Sequence, residues 1–290
     1  MTDISVITRK FDRGATDATF NQASFDTGFV PATQSILASN RVHQIIVVTC
    51  GGGDAGKFAE NIVDGETPTT RAVKRAFPSE TKSGRVKTVV SMNWGLNAGS
   101  AGAVNDGLAL AEASGTEYVL CWSSELKLGT DHIALALNHM ESHALDVCGI
   151  ARSGFWLRPQ WQVPQNTGAV WRMSSLSQVY WFSTLCDGDG KTTISTKDYG
   201  GVPLAGMDDF ECILRMHKHN VLMPRLGMVS CSRPVLWDLA LKMPGTAEYD
   251  DNLKKIARQW EVMKAYAKIH FPDEPFEGVY MRIMGRMRFD

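Results

Sequence analysis

Residues Asn97–Glu125, NAGSAGAVNDGLALAEASGTEYVLCWSSE, form the stretch of this 290-residue chain that decides its fold. The stretch begins as a loop and a helix with regularly spaced asparagine and glycine residues: Asn97, Gly99, Asn105 and Gly107. Gly115 is placed to end that helix in a left-handed cap. Tyr118–Trp122 then carries no charge and no turn-former, which predicts a strand buried on both faces. Because ligands bind beyond the carboxyl ends of parallel strands, we expect the chemistry where this strand ends.

More strands and helices are predicted on the N-terminal side of this stretch. The strands are Ile4–Thr8, His43–Thr49 and Val86–Met92, and the helices are Pro31–Asn40 and a weaker one over Phe58–Val73, broken by Gly65 and Pro68. Strands that alternate with helices in this way are typical of a parallel sheet covered by helices. The sequence therefore predicts an α/β fold with a mostly parallel sheet flanked by helices.

A long polar stretch, Arg9–Gly28, follows the first predicted strand. Loops of this length are uncommon unless they act as lids or binding elements. Three aromatic residues are spaced through it, namely Phe11, Phe20 and Phe25. The stretch is therefore interpreted either as a functional loop or as a surface insertion anchored by these rings.

The second half of the chain is predicted to contain three more helices. Asp131–His143 and Met207–Met216 show helical spacing, and Tyr249–Ile269 is amphipathic. The closing segment MRIMGRMRF, residues 281–289, mixes basic and apolar residues. Such a tail favours packing on its own domain over docking to a partner subunit or to a membrane surface.

The composition is that of an ordinary globular protein, 44% hydrophobic and 21% charged. A net charge of -1 creates no field that would attract nucleic acid, so no nucleic-acid partner is expected. Six cysteines without a CxxC pair indicate reduced thiols. No segment is predicted to span a membrane or to act as a secretory signal. We therefore expect a soluble, cytoplasmic protein that is at most peripheral to a membrane.

One candidate site is a glycine-rich segment directly after the second predicted strand. Gly51, Gly53 and Gly56 fit the pattern G-x-G-x-x-G, which can cradle a dinucleotide pyrophosphate. Asp54, however, would place a negative charge beside the phosphates. No acidic residue ends a strand about 20 residues later, as a dinucleotide site requires. These features argue against a dinucleotide site.

The other candidate site combines the opening stretch with MDDFECILRM, residues 207–216. Five segments resemble, in order, the motifs of family 2 glycosyltransferases of the GT-A fold. ISVITRKF and IIVVTCGGGD resemble the first two strand ends, and the segment from Asn97 to Gly107 matches the N-x-G-x(5)-N-x-G loop without a gap. Tyr118–Glu125 is similar to the strand that ends in D-x-D, and MDDFECILRM to the helix opened by E-D, with Arg215 at its arginine. QNTGAVWRMSSL, residues 165–176, resembles the segment between these two.

This resemblance covers about residues 3–232 and implies a domain organisation. Residues 1–126 would form the nucleotide-binding half of a GT-A-like domain, and residues 127–232 its acceptor half. Residues 233–290 would form a C-terminal helical extension. The implied activity is transfer of a sugar from a nucleotide-sugar to a hydroxyl acceptor, with inversion.

The resemblance also implies roles for individual residues. Asp209 would be the general base, and Glu125 would bind a divalent cation, Mg²⁺ or Mn²⁺. The residues expected to contact the nucleotide are Thr8, Thr49, Asn97, Ser123 and Ser124.

Two motifs depart from the family pattern. The aspartate that usually contacts the base is replaced by Thr49, and D-x-D becomes Ser123-Ser124-Glu125. A single carboxylate supplies one ligand of a metal ion, and water and phosphate oxygens supply the others. We therefore expect weak metal binding, or a basic residue in place of the metal.

Two alternative functions stay open, and the first of them is suggested by the lost aspartates. One is a non-catalytic relative that binds a nucleotide or a partner through the same pocket. The other is a sugar-phosphate nucleotidyltransferase, whose first strand is usually followed by a loop rich in Gly, Arg and Lys. TRKFDRG, residues 8–14, contains three basic residues but a single glycine.

Overall fold

A mixed sheet of eight strands organises the described part of the chain, in the order β3-β2-β1-β4-β6-β5-β7-β8. The strands are β1 Ile4–Phe11, β2 Val42–Cys50, β3 Val86–Ser91, β4 Tyr118–Trp122, β5 Val147–Arg152, β6 Gly168–Arg172, β7 Leu226–Cys231 and β8 Arg288–Phe289. Strand β6 runs antiparallel to both of its neighbours, and all the other described pairs are parallel. The predicted α/β class with a mostly parallel, helix-flanked sheet is confirmed.

The computed structural model describes these residues: 4–12, 16, 19–50, 55–92, 99–123, 128–152, 166, 168–182, 208–218, 226–231, 261, 264, 267–268, 271–284 and 288–289. The helices within them are α1 Gln22–Ser24, α2 Val30–Leu37, α3 Ala55–Glu60, α4 Pro68–Ala76, α5 Pro78–Ser83, α6 Gly99–Ala113, α7 Thr130–Ser142, α8 Met173–Gln178, α9 Asp208–Lys218 and α10 Phe276–Met284. A π-helical segment, Phe25–Phe29, joins α1 to α2. Most of the predicted tail helix, Tyr249–Ile269, lies outside the described residues.

One predicted segment differs from what was expected and another agrees, each for a local reason. The stretch Arg9–Gly28 is not all loop, because helical structure begins at Gln22. Phe25 and Phe29 of the π-helical segment are buried and stack with ring centroids 5.0 Å apart. The weak helical signal over Phe58–Val73 is broken as predicted, and a capping box between Thr67 and Thr70 starts α4 after the break.

Apolar residues cover the two faces of the sheet separately. Alternate residues of β2 point to opposite faces, so that Ile46 and Val48 pack under α6, whereas Ile45 and Val47 pack under α2 and α4. Helix α6 approaches the sheet closely at Gly107, where a Cβ atom would lie 2.7 Å from Cγ2 of Ile7. Glycine is therefore required at this position for α6 to lie on β1 and β2.

The C-terminal elements are attached to the same structure. The rings of Phe276 and Tyr280 in α10 lie 6.2 and 6.1 Å from the ring of Phe210 in α9. Strand β8 pairs with β7 and extends the sheet by one short strand. No described helix is both long enough and apolar enough to cross a bilayer.

Candidate functional site

The candidate site lies at the carboxyl edge of the sheet, where β1 extends beyond β4. Thr8 is the last residue of β1 that pairs with β4, opposite Trp122. Strand β1 continues to Phe11 and remains paired with β2 there, with Lys10 opposite Thr49. The two strands therefore end at different levels, which leaves a step between them. Thr8 lies at the level where β4 ends, and Ser123 is the residue that follows β4.

The two predicted threonines are buried and differ in their hydrogen bonds. The hydroxyl of Thr49 donates to the carbonyl of Val89 in β3, at 3.2 Å. The hydroxyl of Thr8 is closed to solvent and has no hydrogen-bond partner among the described residues. Thr8 therefore keeps an unused donor and acceptor at the level where β4 ends.

Asp209, the predicted base, lies in the first turn of α9 and is 5% exposed. One carboxylate oxygen accepts the backbone N–H of Asn166 at 2.9 Å, and the other accepts that of Phe210 at 2.7 Å. Asn166 is itself held, because its side-chain oxygen accepts the indole N–H of Trp171 at 2.9 Å. The Asp209 carboxylate is therefore attached both to its own helix and to the segment before β6.

Strand β6 is what brings Asp209 to the end of β4. Gly168, the first residue of β6, pairs with Trp122, the last residue of β4. Asn166, which donates to Asp209, precedes Gly168 by two residues. Four of the predicted site residues, Thr8, Thr49, Ser123 and Asp209, are therefore brought to the same edge of the sheet.

The other predicted site residues, Asn97, Ser124 and Glu125, lie outside the described residues. The second half of the asparagine–glycine motif is described and has structural partners. The side-chain amide of Asn105 donates to the carbonyl of Phe182 at 2.8 Å, and its oxygen accepts the N–H of Phe182 at 3.2 Å. Asn105 thus attaches α6 to the segment that follows α8, while Gly107 allows the close approach of α6 to the sheet.

Arg215, at the arginine position of the E-D helix, is part of a buried ion pair. Its Nε lies 2.5 Å from Oε1 of Glu211, whose side chain is fully buried. The guanidinium also donates to the carbonyls of Val179 and Trp181, the latter at 2.6 Å. Arg215 therefore attaches α9 to the turn after α8.

Asp12 is a further polar residue at this edge, and the sequence reasoning did not select it. Its backbone N–H donates to the carbonyl of Cys50 at 2.9 Å, so it lies just beyond the ends of β1 and β2. The side chain is 3% exposed, and its Oδ1 accepts the hydroxyl of Thr69 in the first turn of α4. Burial raises the pKa of Asp12, and the neighbouring hydroxyls of Thr67 and Thr69 and the Lys10 ammonium offset part of the rise. The signal that could have revealed it is the alternation of Thr8, Lys10 and Asp12 on one face of a longer β1.

No group of three or more His, Cys, Asp or Glu side chains within the described ranges is placed to hold a metal ion. The predicted metal site therefore depends on Glu125, for which no geometry is described.

Comparison with known proteins finds similarity to solved structures alone. No protein-family model matches it, and no curated protein matches its sequence. Solved structures to which it is similar include glycosyltransferases of the GT-A fold and a nucleotidyltransferase. The GT-A-like class expected from the motifs agrees with the mostly parallel sheet described above.

Three particular structures illustrate this similarity. A fragment of S. aureus TarS, residues 1–349, is 13% identical with a TM-score of 0.42, and the match covers 72% of this chain and 55% of the fragment. Glucosyl-3-phosphoglycerate synthase from Mycobacterium tuberculosis, solved with Mn²⁺ and UDP-glucose, is 11% identical with a TM-score of 0.46, over 91% of this chain and 77% of the other. 4-diphosphocytidyl-2C-methyl-D-erythritol synthase from Anaerococcus prevotii DSM 20548 is 11% identical with a TM-score of 0.47, over 90% and 96%.

The chain spans about half the length of the TarS fragment, and 36% of a longer TarS structure. Identities of 11–13% and TM-scores below 0.5 decide nothing about donor, acceptor or site residues in this chain. Those assignments depend on its own residues.

Proposed function

We propose that this chain is a glycosyltransferase that moves a sugar from a nucleotide-sugar donor to a hydroxyl acceptor, with inversion. The observation that supports this most directly is the position of Asp209, whose carboxylate is held by Asn166 beside the end of β4. Ligands of open α/β sheets bind at this edge. An aspartate that served the helix dipole alone would need no such anchor to another element.

Asp209 would act on the acceptor. It would take the proton of the attacking hydroxyl while the hydroxyl oxygen bonds to the anomeric carbon. The bond from that carbon to the diphosphate would break on the opposite face, and the nucleoside diphosphate would leave with the electron pair. Attack from the face opposite the leaving group gives inversion.

The donor would occupy the step between β1 and β4. Contacts to the nucleotide are assigned to Thr8, Thr49, Asn97, Ser123 and Ser124. Glu125 would hold a divalent cation, which would neutralise charge on the departing diphosphate. The division into residues 1–126, 127–232 and 233–290, and a cytoplasmic location, remain part of the same proposal.

The first test is a thermal-shift panel of UDP-, GDP- and dTDP-sugars with and without Mn²⁺. At least one donor should raise the melting temperature, and the rise should be larger with Mn²⁺. Treatment with EDTA should lower turnover, and added Mn²⁺ should restore it. If no donor shifts the melting temperature in either condition, the proposal fails.

The second test separates catalysis from folding at Asp209. Asp209→Asn should retain donor binding and lose transfer by about 10²- to 10⁴-fold, the usual contribution of a general base. Asp131→Asn is the matched control, because Asp131 is an exposed acid in the first turn of α7. Transfer should be unchanged in this control. Retained turnover in Asp209→Asn would remove Asp209 as the base.

Two other outcomes would reassign the site. Donor binding without hydrolysis or transfer would indicate the non-catalytic relative. Release of pyrophosphate from a nucleoside triphosphate and a sugar phosphate would indicate the nucleotidyltransferase.

A further inference from the structure

A basic cavity lies at the amino edge of the sheet, where β2 and β3 begin. It is open to solvent, and its volume is about 630 Å³. Its basic side chains are those of His43, Arg85 and Lys87, and none of its described lining residues is acidic. The cavity is remote from the candidate site, because His43 and Thr49 are six residues apart on β2, which corresponds to about 20 Å.

His43 reaches this cavity because β2 contains a bulge. Val42 and Gln44 pair with consecutive residues of β1, so His43 between them has no partner in that strand. A bulge leaves one residue out of the ladder and turns its side chain in a new direction, and bulges between parallel strands are rare. His43 is exposed, whereas Val42 and Gln44 are buried. The bulge therefore interrupts a buried strand and exposes a single histidine in the cavity.

The basic groups of this cavity have few partners in the protein. Within the described part of the chain, neither His43 nor Lys87 makes an ion pair or a side-chain hydrogen bond. The guanidinium of Arg85 donates to the carbonyl of Leu37, at the end of α2, at 3.0 Å. This contact uses one of its five N–H donors. Basic groups that share a cavity without acidic partners repel one another, and a bound anion removes the repulsion. The cavity is therefore suited to an anionic ligand.

We propose that this cavity binds a small organic molecule through a phosphate group held by His43, Arg85 and Lys87. A phosphate monoester has three terminal oxygens and a charge of about −1.5 to −2 at pH 7. The imidazole, the guanidinium and the ammonium each supply a donor, so every terminal oxygen would receive a hydrogen bond. A carboxylate ligand has two oxygens and one charge, which a single arginine satisfies in a bidentate pair. The three basic groups together therefore favour a phosphate over a carboxylate.

The neutral part of the cavity wall fits the rest of such a molecule. The side chains of Asn40 and Ser83 also line the cavity and would bind hydroxyl groups of the ligand. The volume lies within the range of small-molecule sites, which is about 300–1,000 Å³. The basic groups surround one concave site, and a net charge of -1 adds no wider positive field. A compact anion is therefore favoured over a nucleic-acid strand or a membrane surface.

The alternative is that each of these groups serves the fold alone. Arg85 would cap the C-terminus of α2. The bulge would set the register of Gln44, whose side-chain amide donates to the hydroxyl of Ser5 at 2.9 Å. Neither role needs the ammonium of Lys87 or the imidazole of His43. Replacement of these two groups therefore separates ligand binding from folding.

The test measures binding of organic phosphates to the full chain by calorimetry. The probes are glycerol 3-phosphate, ribose 5-phosphate and glucose 6-phosphate, and the references are inorganic sulfate and ribose. At least one organic phosphate should bind at least tenfold more tightly than sulfate, and ribose should not bind. Lys87→Met and His43→Gln should each weaken that binding by at least fivefold, and neither should lower the melting temperature without ligand. Lys82→Met is the matched control and should keep its affinity, because Lys82 is an exposed lysine of α5 that does not line the cavity.

A second measurement locates the bound probe. In NMR spectra of protein with ¹³C-labelled histidine, the ring signal of His43 is identified by its loss in His43→Gln. This signal should shift when the organic phosphate is added, whereas the signal of His132 in α7 should not. An excess of UDP should leave the affinity for the probe unchanged, because the donor edge lies at the other end of β2.

The outcomes separate this cavity from the donor site. If no organic phosphate binds more tightly than sulfate, the cavity holds an adventitious ion only and the assignment fails. If Lys82→Met weakens binding as much as Lys87→Met, the cause is overall charge and the assignment also fails. If His43→Gln and Lys87→Met melt at a lower temperature and still bind the probe, the two groups serve the fold alone. If UDP displaces the probe and the His43 signal does not move, the probe occupies the donor edge, which overturns the role of the cavity while the transferase proposal stands.

Discussion

The ion pair between Glu211 and Arg215 is expected to stabilise the protein rather than to bind the donor, and Arg215→Met tests this. Glu211 is fully buried, and Arg215 is 14% exposed. The guanidinium also supports the turn after α8, where Tyr180 and Trp181 have φ values of 57° and 63°. Residues other than glycine rarely adopt this conformation unless their surroundings impose it. Arg215→Met would leave the buried carboxylate without its nearest cation.

The expected loss is large for a single substitution. Removing one partner of a buried ion pair costs about 3–5 kcal/mol. Release of the two left-handed residues would offset part of this, which favours the lower end of the range. An unfolding entropy of about 2.1 cal/mol/K per residue corresponds to roughly 0.6 kcal/mol/K for a chain of this length. The melting temperature should therefore fall by about 5–8 °C.

Urea denaturation of three variants would test the magnitude and its cause. Lys74→Met is the control, because Lys74 pairs with Glu66 at the surface and such pairs contribute at most about 1 kcal/mol. The double variant Glu211→Met/Arg215→Met should be less destabilised than Arg215→Met, because no unpaired charge remains. If Arg215→Met costs no more than Lys74→Met, the ion pair is not what holds α9 to the turn. If stability is unchanged but donor binding is lost, Arg215 is a ligand of the diphosphate.

Three further predictions concern single substitutions in the helices α6, α10 and α7. Gly107→Ala should lower the free energy of unfolding by about 1–3 kcal/mol, because the new methyl group would meet Cγ2 of Ile7. Gly278→Ala in α10 should raise the free energy of unfolding by up to about 1 kcal/mol, because that position is open and alanine favours helix. Urea denaturation of both variants checks these values. Equal effects of the two substitutions would refute the steric reason. Burial lowers the pKa of His132, whose neutral ring accepts the N–H of Gly129 at 3.1 Å. The stability from His132 should therefore be present above its unfolded pKa of about 6.5 and be lost as the pH falls through the lower folded value. The free energy of unfolding should depend less on pH between about 7 and 5 in His132→Gln than in wild type, and equal slopes would contradict this.

The strands could be predicted from the sequence because they are continuous apolar runs. Tyr118–Trp122 was predicted to the residue, since all five side chains are buried. The end of β1 was placed too early, at Thr8, because the residues that follow are polar. Pairing with β2 extends the strand to Phe11, and a polar strand end of this kind is visible only when its partner is known.

The site could be predicted in part for the same reason. Asp209 was found from a motif, and the structure adds its partner Asn166. That contact is between a side chain and a backbone N–H 43 residues apart, so no local pattern indicates it. Asp12 was missed because its place beside Cys50 follows from the extended pairing of β1.

The asparagine–glycine motif is therefore weaker evidence for catalysis than its resemblance to the family pattern suggests. Asn105 bonds to Phe182, and Gly107 makes room for Ile7, so this half of the motif is explained by packing alone. A chain without catalytic activity would keep both residues in order to build the same sheet and helix. The motif is thus evidence for the fold, whereas the proposed transfer would depend on Asp209 and Glu125. Loss of transfer in Asp209→Asn with the fold intact would separate catalysis from packing, since no packing requirement predicts it.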